Sequence, residues 1–280
     1  MPWRGNGAII FGMDAPSTPL PPRLATGRTA ELFAWEDGRV LKLLNAGIAA
    51  AAADHEANIG RLVHAAGLPV PAVYGRIDLN GRAGILYERI EGPTLLSLIT
   101  RQPLKMPGWG RTLARLQHQV HQNAASGLDN KIESLERAIQ KEPNVPDDLR
   151  KAALARLNRL PAGDALLHGD FHPDNILVSA RGLIIIDWLD ASRGHPLADV
   201  ARTWLLMTGR LPPSMSAAQR IIIQLGRNVL VRSYLNSYFH LSGFTRSDLT
   251  PWLLPVAAAR LAENVPGDRA RLPPLMQRWM

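Results

Sequence analysis

One short stretch of the chain, residues 166–190, concentrates acidic, amide and histidine side chains, and it reads LLHGDFHPDNILVSARGLIIIDWLD. Two apolar runs in it, 175–178 and 183–186, have the length of short strands. Ala180-Arg181-Gly182 between them favours a tight turn. The sequence therefore predicts a β-hairpin with polar residues at its open end.

Three side chains at this open end could do chemistry together. Asn175 begins the first strand, Asp187 follows the second, and Asp170 precedes both. Because a hairpin brings the start of its first strand beside the end of its second, we expect Asn175 and Asp187 to be neighbours, with Asp170 on the loop above them. A carboxylate beside a carboxamide suits a hard cation such as Mg²⁺, and a second carboxylate can accept a hydroxyl proton. These are the requirements of phosphoryl transfer.

The spacing of these residues resembles that of a known family. HGDFHPDN, followed by IIIDW, is similar to the catalytic loop and metal motif of the aminoglycoside phosphotransferase family and its choline-kinase-like relatives, which share the protein-kinase fold. The resemblance implies that Asp170 is the catalytic base and that Asn175 and Asp187 hold Mg²⁺. It also implies that His168 braces the loop.

Two neighbouring segments refine the resemblance. Asp187-Trp188-Leu189 stands where protein kinases have Asp-Phe-Gly, which favours the small-molecule branch. Residues 193–201, RGHPLADVA, resemble the family's Gly-x-Pro-x-x-Asp-hydrophobic-Ala segment, which implies that Asp199 anchors the catalytic loop from the next helix. Taken singly, acids and amides at strand ends are common turn residues, and His172 is assigned to loop structure rather than to catalysis.

A lysine and a glutamate in the N-terminal part could bind nucleotide phosphates. Lys42 lies in the middle of the predicted strand VLKLL, where on its own it would favour the solvent face. Glu56 precedes Ile59 by three residues and Val63 by seven, so it falls on the apolar stripe of the next helix. Because a buried acid needs a partner, and because the family's Lys–Glu pair has this strand-then-helix order, the resemblance assigns the pair to Lys42 and Glu56.

The remaining nucleotide contacts are assigned by position in the resemblance. The loop 25–29, which contains Gly27, is expected to cover the phosphates. The base is expected to lie against the connection 87–90, where backbone groups of Glu88 and Ile90 would read its edge. The co-substrate is expected to be ATP or GTP.

The pattern of elements predicts an α+β, bilobal, protein-kinase-like fold. A small antiparallel-sheet lobe is expected over residues 1–92 and a mainly helical lobe over 93–280, after a Pro-rich lead-in at 14–23. Strands are predicted at 29–35, 39–44, 73–78 and 83–90, and helices at 48–66, 108–122, 147–160, 197–208, 217–240 and 251–263.

Composition excludes several classes of protein and disfavours others. The absence of cysteine excludes disulfides, thiolate nucleophiles and Cys-based metal sites. The net charge is +8, but no run of five Lys or Arg occurs, which disfavours nucleic acid as a partner. No run approaches the roughly 18 apolar residues of a membrane span, and the N-terminus lacks a signal-peptide pattern. We expect a cytoplasmic protein, with its oligomeric state left open.

The predicted function is transfer of the γ-phosphate of ATP or GTP to a hydroxyl of a small molecule. A choline-, homoserine- or sugar-type kinase of the same fold is the alternative enzyme. A catalytically silent nucleotide-binding module and a kinase associated with nucleic acid are further alternatives. The silent module is disfavoured because the chain has the complete set of five site residues, Lys42, Glu56, Asp170, Asn175 and Asp187. The kinase associated with nucleic acid is disfavoured because the chain has no cluster of basic residues.

The charge of the C-terminal region bears on the acceptor. From residue 201 onward the chain contains ten Arg, no Lys and three acids, which favours a neutral or weakly cationic acceptor. In the competing interpretation these arginines face solvent, and Asp190 and acids from residues 129–148 line the pocket.

Overall fold

The computed structural model describes residues 19–280 except 28, 210, 212–214 and 266. The chain divides into two compact units, the first containing the residues up to Asp54 together with Val73–Glu88, and the second containing His55–Ala72 together with Arg89–Met280. Half of the predicted Pro-rich lead-in, residues 14–18, lies outside the described residues. The predicted lobe boundary at residue 92 stays a prediction. It differs from the division into units, in which residues 55–72 group with the helical unit.

The first unit is built on an antiparallel sheet. Its strands are β1 (Arg23–Thr26), β2 (Ala30–Trp35), β3 (Arg39–Leu44), β4 (Val73–Leu79) and β5 (Arg82–Glu88). They are ordered β1-β2-β3-β5-β4. Both hairpins turn where the sequence predicts, at Asp37-Gly38 and Asn80-Gly81, and all four of these residues have positive φ. Such dipeptides suit the two-residue turns whose twist matches that of the flanking strands.

One face of this sheet is buried by alternate apolar side chains, and Phe33, Leu41 and Leu43 form its centre together with Leu79 and Leu86. Helix α1 (Ala50–Ala65) follows β3 and begins in the first unit. The part of α1 that belongs to the second unit buries Ile59 and Val63 in that unit's core, which explains the grouping of residues 55–72.

The second unit is mainly helical. In chain order its helices are α2 (Leu95–Arg101), α3 (Met106–His121), α4 (Lys131–Lys141), α5 (Asp147–Leu157), α6 (Pro196–Met207), α7 (Ala217–Ser242), α8 (Arg246–Leu261) and α9 (Asp268–Gln277). Trp252, Tyr234 and Tyr238 are among its largest fully buried side chains. Among the residues that the structure describes, no helix combines the length and the apolar character needed to cross a membrane.

Between α5 and α6 the second unit contains two small antiparallel ladders. β6 (Ala165–Leu167) pairs with β9 (Ser192–Gly194), and β7 (Ile176–Ser179) pairs with β8 (Gly182–Ile185). Ile176 lies opposite Ile185, and both are fully buried. The chain before α2 passes so close to β7 that a Cβ on Gly92 would lie 2.0 Å from the carbonyl oxygen of Val178, so only glycine fits there. The predicted hairpin is thus present and is held against the helical core.

Candidate active site

The loop between β6 and β7 carries His168, Gly169 and Asp170, and its backbone is held by Asp199. Asp199 lies in the first turn of α6 and is fully buried. Its Oδ1 accepts from the Gly169 N–H at 2.8 Å, and its Oδ2 accepts from the His168 N–H at 3.1 Å. This geometry is the one that the sequence expected for Asp199, and its role in function stays a prediction.

A buried polar network on α3 and α7 supports Asp199. Gln117 Nε2 donates to Asp199 Oδ2 at 3.0 Å, and His121 Nε2 lies 3.1 Å from the same oxygen. The hydroxyl of Tyr238 lies 2.6 Å from His121 Nδ1. Burial alone would raise the pKa of Asp199, but the hydrogen bond and charge of His121, with the hydrogen bond of Gln117, lower it well below its usual range. Sequence reasoning missed this network, because polar residues on a helix far from the loop in sequence gave no motif.

His168 connects the catalytic loop to the end of β8. Its Nδ1 accepts from the Asp170 N–H at 3.1 Å, and its Nε2 lies 3.1 Å from the carbonyl oxygen of Ile186. These partners fit the neutral tautomer with the proton on Nε2. Burial, the largest cause, lowers the pKa of His168 and favours that neutral form. The ring also contacts Trp188, with centroids 4.5 Å apart.

Asp170 is a partly exposed carboxylate with three polar neighbours. Asn175 Nδ2 donates to its Oδ2 at 3.0 Å, His172 Nε2 lies 3.4 Å from the same oxygen, and Arg202 Nη2 lies 3.6 Å from Oδ1. Burial alone would raise the pKa of Asp170. The hydrogen bond with His172 and the charges of His172 and Arg202 outweigh it and lower the pKa well below its usual range. Asp170 is therefore ionised at neutral pH and suited to accept a hydrogen bond from a hydroxyl.

Arg202 was not among the residues predicted from the sequence. It lies on α6 three residues after Asp199, and its Nε donates to the carbonyl oxygen of Gly169 at 3.1 Å. Both of its terminal nitrogens bind the carboxylate of Glu263, one of them at 2.9 Å. Positions three apart share a helix face, so its spacing from Asp199 was the signal that could have identified it.

Asn175 and Asp187 lie at the open end of the hairpin, as their register requires. The Ile186 N–H donates to the backbone carbonyl of Asn175 at 3.0 Å, which sets the next residue, Asp187, beside Asn175. Asp187 is exposed and has φ +63°, a left-handed conformation that costs most residues free energy. The remaining described non-Gly residues with positive φ lie in the two hairpin turns and after α8. Unusual backbone of this kind is often found at functional sites.

These two residues fit a magnesium ion by the chemistry of their donors. Since the side-chain nitrogen Nδ2 of Asn175 donates to Asp170, its side-chain oxygen Oδ1 is the atom suited to ligate a cation. Within the described part of the chain no group of three or more His, Cys, Asp or Glu is arranged to hold a metal. One carboxylate and one carboxamide instead suit Mg²⁺ that is held jointly with phosphate oxygens and water.

The predicted nucleotide-binding residues lie in both units. Lys42 lies on β3 in the first unit, and Glu56 lies on α1 in the second. Glu56 is buried, as expected from its place on the apolar stripe. Gly27 follows β1, and its N–H donates to the Ala30 carbonyl at 2.8 Å, while its neighbour at position 28 lies outside the described residues. The pairing of Lys42 with Glu56 stays a prediction.

Glu88 is the last residue of β5, and Ile90 follows in the connection to α2. Their expected part in reading the nucleotide base depends on backbone groups and also stays a prediction.

Asp190 lies beside the catalytic loop among several charges. A Cβ on Gly169, which has φ +81°, would lie 2.2 Å from the carbonyl oxygen of Asp190, so the two backbones touch. Asp190 is exposed by surface area, but partial desolvation by the surrounding protein is the largest cause that raises its pKa, with Arg202 and Lys131 opposing that shift and Asp170 and Glu263 adding to it. Burial likewise lowers the pKa of Lys131, and the charge of Arg202 adds to that effect. The charges that act on Asp190 are thus two carboxylates, Asp170 and Glu263, and two cations, Arg202 and Lys131.

Solved structures of phosphotransferases share this fold. A thermostable mutant of the aminoglycoside phosphotransferase APH(4)-Ia, in ternary complex with ADP and hygromycin B, matches with a TM-score of 0.63 and 18% identity over 94% of this chain and 92% of that one. An aminoglycoside-3'-phosphotransferase of type VIII matches with a TM-score of 0.59 and 18% identity over 86% and 94%. A choline/ethanolamine kinase family protein from Mesorhizobium loti matches with a TM-score of 0.53 and 18% identity over 96% and 90%. The predicted α+β, protein-kinase-like fold is confirmed.

A curated relative matches over a short segment. Acyl-CoA dehydrogenase family member 11 from Gallus gallus is 50% identical over 50 residues, which is 16% of this chain, and the match spans about 6% of that protein's length.

The family follows from a match that covers most of the chain. Residues 23–232 match the model described as the phosphotransferase enzyme family, and this range includes the hairpin, the catalytic loop and α6. The chain therefore belongs to the phosphotransferase enzyme family.

Proposed function

We propose that the protein transfers the γ-phosphate of ATP or GTP to a hydroxyl group of a small molecule, with Mg²⁺ as the cofactor. One observation carries this proposal: ionised Asp170 is hydrogen-bonded to Asn175 beside Asp187 at the open end of the β7–β8 hairpin. Membership of the phosphotransferase enzyme family supports it.

Asp170 would orient the acceptor hydroxyl in line with the γ-phosphorus. As the new bond between the hydroxyl oxygen and phosphorus forms, the bond from phosphorus to the bridging oxygen breaks and the nucleoside diphosphate leaves. The hydroxyl proton passes to Asp170 and from there to solvent. Since the pKa of Asp170 is lowered, it is a weak base, which suits a loose transition state in which proton transfer comes late.

Asn175 and Asp187 would hold Mg²⁺, which supplies charge neutralisation on the phosphate oxygens when it is bound. Lys42, paired with Glu56, would bind the α- and β-phosphates, and Gly27 would lie in the loop that covers them. Backbone groups of Glu88 and Ile90 would contact the base. His168 and Asp199 would hold the catalytic loop in position through the hydrogen bonds described above.

We further propose that the acceptor is neutral or carries at most one positive charge. Arg202 and Lys131, whose charges act on Asp190, offset two of the three carboxylates Asp170, Asp190 and Glu263, and bound Mg²⁺ would offset Asp187. A site in which cations offset most of the carboxylates attracts a polycation less strongly. The second enzyme candidate, a kinase of a metabolite such as an amino alcohol, is favoured by the structural match to the choline/ethanolamine kinase family protein.

A screen of nucleotide consumption with Mg²⁺ tests the proposal. The panel contains neutral polyols and sugars, amino alcohols with one charge, and polycationic aminoglycosides, each with ATP and with GTP. We expect acceptor-dependent release of nucleoside diphosphate with a neutral or singly charged compound, and its loss in the Asp170→Asn variant. If no acceptor stimulates consumption while nucleotide still binds, a silent nucleotide-binding module becomes the better interpretation.

A further inference from the structure

Arg202 and Glu263 join the catalytic loop to the C-terminal region. The Arg202 side chain is 8% exposed, and its Nε donates to the Gly169 carbonyl at 3.1 Å. Its Nη2 lies 3.6 Å from Asp170 Oδ1, while both terminal nitrogens bind Glu263. One rigid, planar guanidinium therefore contacts the loop backbone, the proposed catalytic carboxylate and a distant acid at the same time.

Glu263 lies beyond α8, outside residues 23–232 that match the family. It is itself held by Arg260, whose Nε binds Asp268 at 2.9 Å. Asp268 also binds Arg271 at 3.0 Å, and Arg271 donates to the Thr208 carbonyl just after α6. This chain of partly buried ion pairs fixes Glu263, and through Glu263 it fixes Arg202.

The distance from Arg202 to Asp170 is longer than the distances from Arg202 to Glu263, and this difference leaves an oxygen of Asp170 available. At 3.6 Å the contact between Nη2 and Oδ1 is longer than a hydrogen bond, whereas the contacts with Glu263 are within hydrogen-bond distance. Because Glu263 takes both terminal nitrogens, the guanidinium does not close onto Asp170. Oδ1 of Asp170 is thereby kept for another donor, such as an acceptor hydroxyl.

We infer that Arg202 is a positioning residue that orients Asp170, and that Glu263 keeps the Arg202 guanidinium at its distance from Asp170. This inference rests on the proposed function, in which Asp170 orients the hydroxyl. It makes the C-terminal region beyond residue 232 part of the machinery that sets the catalytic loop.

The matched pair of variants Arg202→Lys and Arg150→Lys tests the inference in the full chain. Arg150 is also partly buried, with 20% of its side chain exposed, and it donates to the backbone carbonyls of Glu142 and Val145 rather than to the loop. A lysine keeps the charge but cannot form the fork that spans Gly169 and Glu263. We expect Arg202→Lys to lower kcat about 10-fold or more with both KM values within about twofold, and Arg150→Lys to lower kcat less than about threefold.

Hydrogen exchange of the segment 166–175 gives a readout that does not depend on activity. We expect faster amide exchange there in Arg202→Lys than in Arg150→Lys at matched thermal stability. Glu263→Gln should give the pattern of Arg202→Lys, and it serves as the test if Arg202→Lys does not fold.

Equal kcat and equal exchange in the two lysine variants would overturn the inference and leave Arg202 as an ordinary structural ion pair. If the wild-type protein phosphorylates no acceptor, the proposed function fails. The exchange comparison then still decides the inference, since slow exchange in Arg202→Lys overturns it and fast exchange supports bracing of the loop.

Discussion

At the scale of single residues, the neighbours of Asp170 determine its pKa and therefore the chemical role that it can have. A general base works best when its pKa lies near the working pH, whereas the pKa of Asp170 is held well below its usual range. Its main contribution is therefore expected to be orientation of the hydroxyl, with the proton accepted late.

Replacing Asp170 by asparagine should separate orientation from nucleotide binding. We expect Asp170→Asn to lower kcat about 10²-fold or more, because the amide is a poor proton acceptor. Nucleotide affinity should change little, since Asp170 is not among the proposed phosphate or metal ligands. Single-turnover kinetics and calorimetry check the two parts, and near-normal turnover would remove Asp170 from the mechanism.

Asp187 offers a second test at this scale. Asparagine tolerates the left-handed backbone that Asp187 adopts, so Asp187→Asn removes the charge without adding strain. We expect Mg²⁺-dependent nucleotide affinity to fall about 10-fold or more, since even indirect disturbance of a metal site costs 10–100-fold.

The control for this test is Asp37→Asn, because Asp37 is an exposed aspartate with φ +56° in the turn between β2 and β3. It should bind nucleotide as the wild type does. Unchanged Mg²⁺-dependent affinity in Asp187→Asn would argue against Asp187 as a metal ligand.

At the scale of elements, α6 holds the catalytic loop in position. Asp199 binds the loop's N–H groups and Arg202 binds a loop carbonyl, both from one face of this helix. His195 caps its first turn, with Nδ1 accepting from the Leu197 N–H at 3.3 Å, and stacks on Trp252 with ring centroids 5.2 Å apart. Correct placement of the loop therefore depends on how this helix begins.

The cap on α6 predicts a pH dependence of stability. Burial is the largest cause that lowers the pKa of His195, and the charge of His121 adds to it. A depressed pKa means that the neutral form is favoured in the fold, so its stabilisation is present above the unfolded value of about 6.5 and is lost as the pH falls. We expect the free energy of unfolding to decrease from about pH 7.5 to 5.5, as the unfolded chain takes up a proton that the folded chain resists.

The variant His195→Asn checks this prediction by urea unfolding across the same pH range. Asparagine is a good N-cap and does not titrate, so its unfolding free energy should decline less steeply than that of the wild type. His168 and His118, whose pKa values are also lowered by burial, keep part of the slope in both proteins. Identical slopes would show that protonation of His195 does not weaken the cap.

The elements that the sequence predicted are those with strong local patterns. The hairpins have Asp-Gly and Asn-Gly turns, and α3 and α6 have regular apolar spacing. α9 was missed because Pro273 and Pro274 lie inside it, and α8 was predicted to begin at Pro251 although it begins at Arg246. Proline usually marks a helix start or break, and here tertiary packing outweighs that preference.

The helices α2 and α4 and the strands β1, β6 and β9 were also absent from the prediction. Apart from α4 these are short, with seven residues in α2, four in β1 and three in each of β6 and β9, and short elements depend on their neighbours for stability. Within the site, Asp170, Asn175 and Asp187 were identifiable because their spacing forms a motif. His121 and Glu263 were not, since contacts between residues distant in sequence leave no local pattern, and Arg202 was missed although its spacing from Asp199 offered a signal.

At the scale of the whole molecule, net charge is a poor guide to the acceptor. The ten arginines from residue 201 onward suggested a strongly positive region. Arg202, Arg260 and Arg271 are instead bound to Glu263 and Asp268, and Arg227 binds a backbone carbonyl. The charges that act on Asp190 lie closer to the proposed site, and among them the carboxylates Asp170, Asp190 and Glu263 exceed the cations Arg202 and Lys131 by one.

This local balance predicts weak activity towards polycations. For kanamycin-like compounds we expect kcat/KM below about 10⁴ M⁻¹s⁻¹, the lower end of the usual range for enzymes. A neutral or singly charged acceptor should exceed that value. Asp190→Asn should change the preference between the two classes of acceptor. Asp248→Asn serves as the control, because Asp248 is an exposed acid in the capping box of α8. Efficient phosphorylation of kanamycin-like compounds would show that the acceptor site is more acidic than this count indicates.

The contact between Trp188 and His168 also gives the site an optical reporter. Trp188 is buried, its Nε1 donates to the Ile185 carbonyl at 3.2 Å, and it directly follows the proposed metal ligand Asp187. The emission of an indole ring depends on its immediate surroundings, so ligand binding at Asp187 should alter the fluorescence of its neighbour. Trp188→Phe would isolate this signal from the six other tryptophans. Nucleotide and metal binding could then be followed by spectroscopy before any acceptor is known.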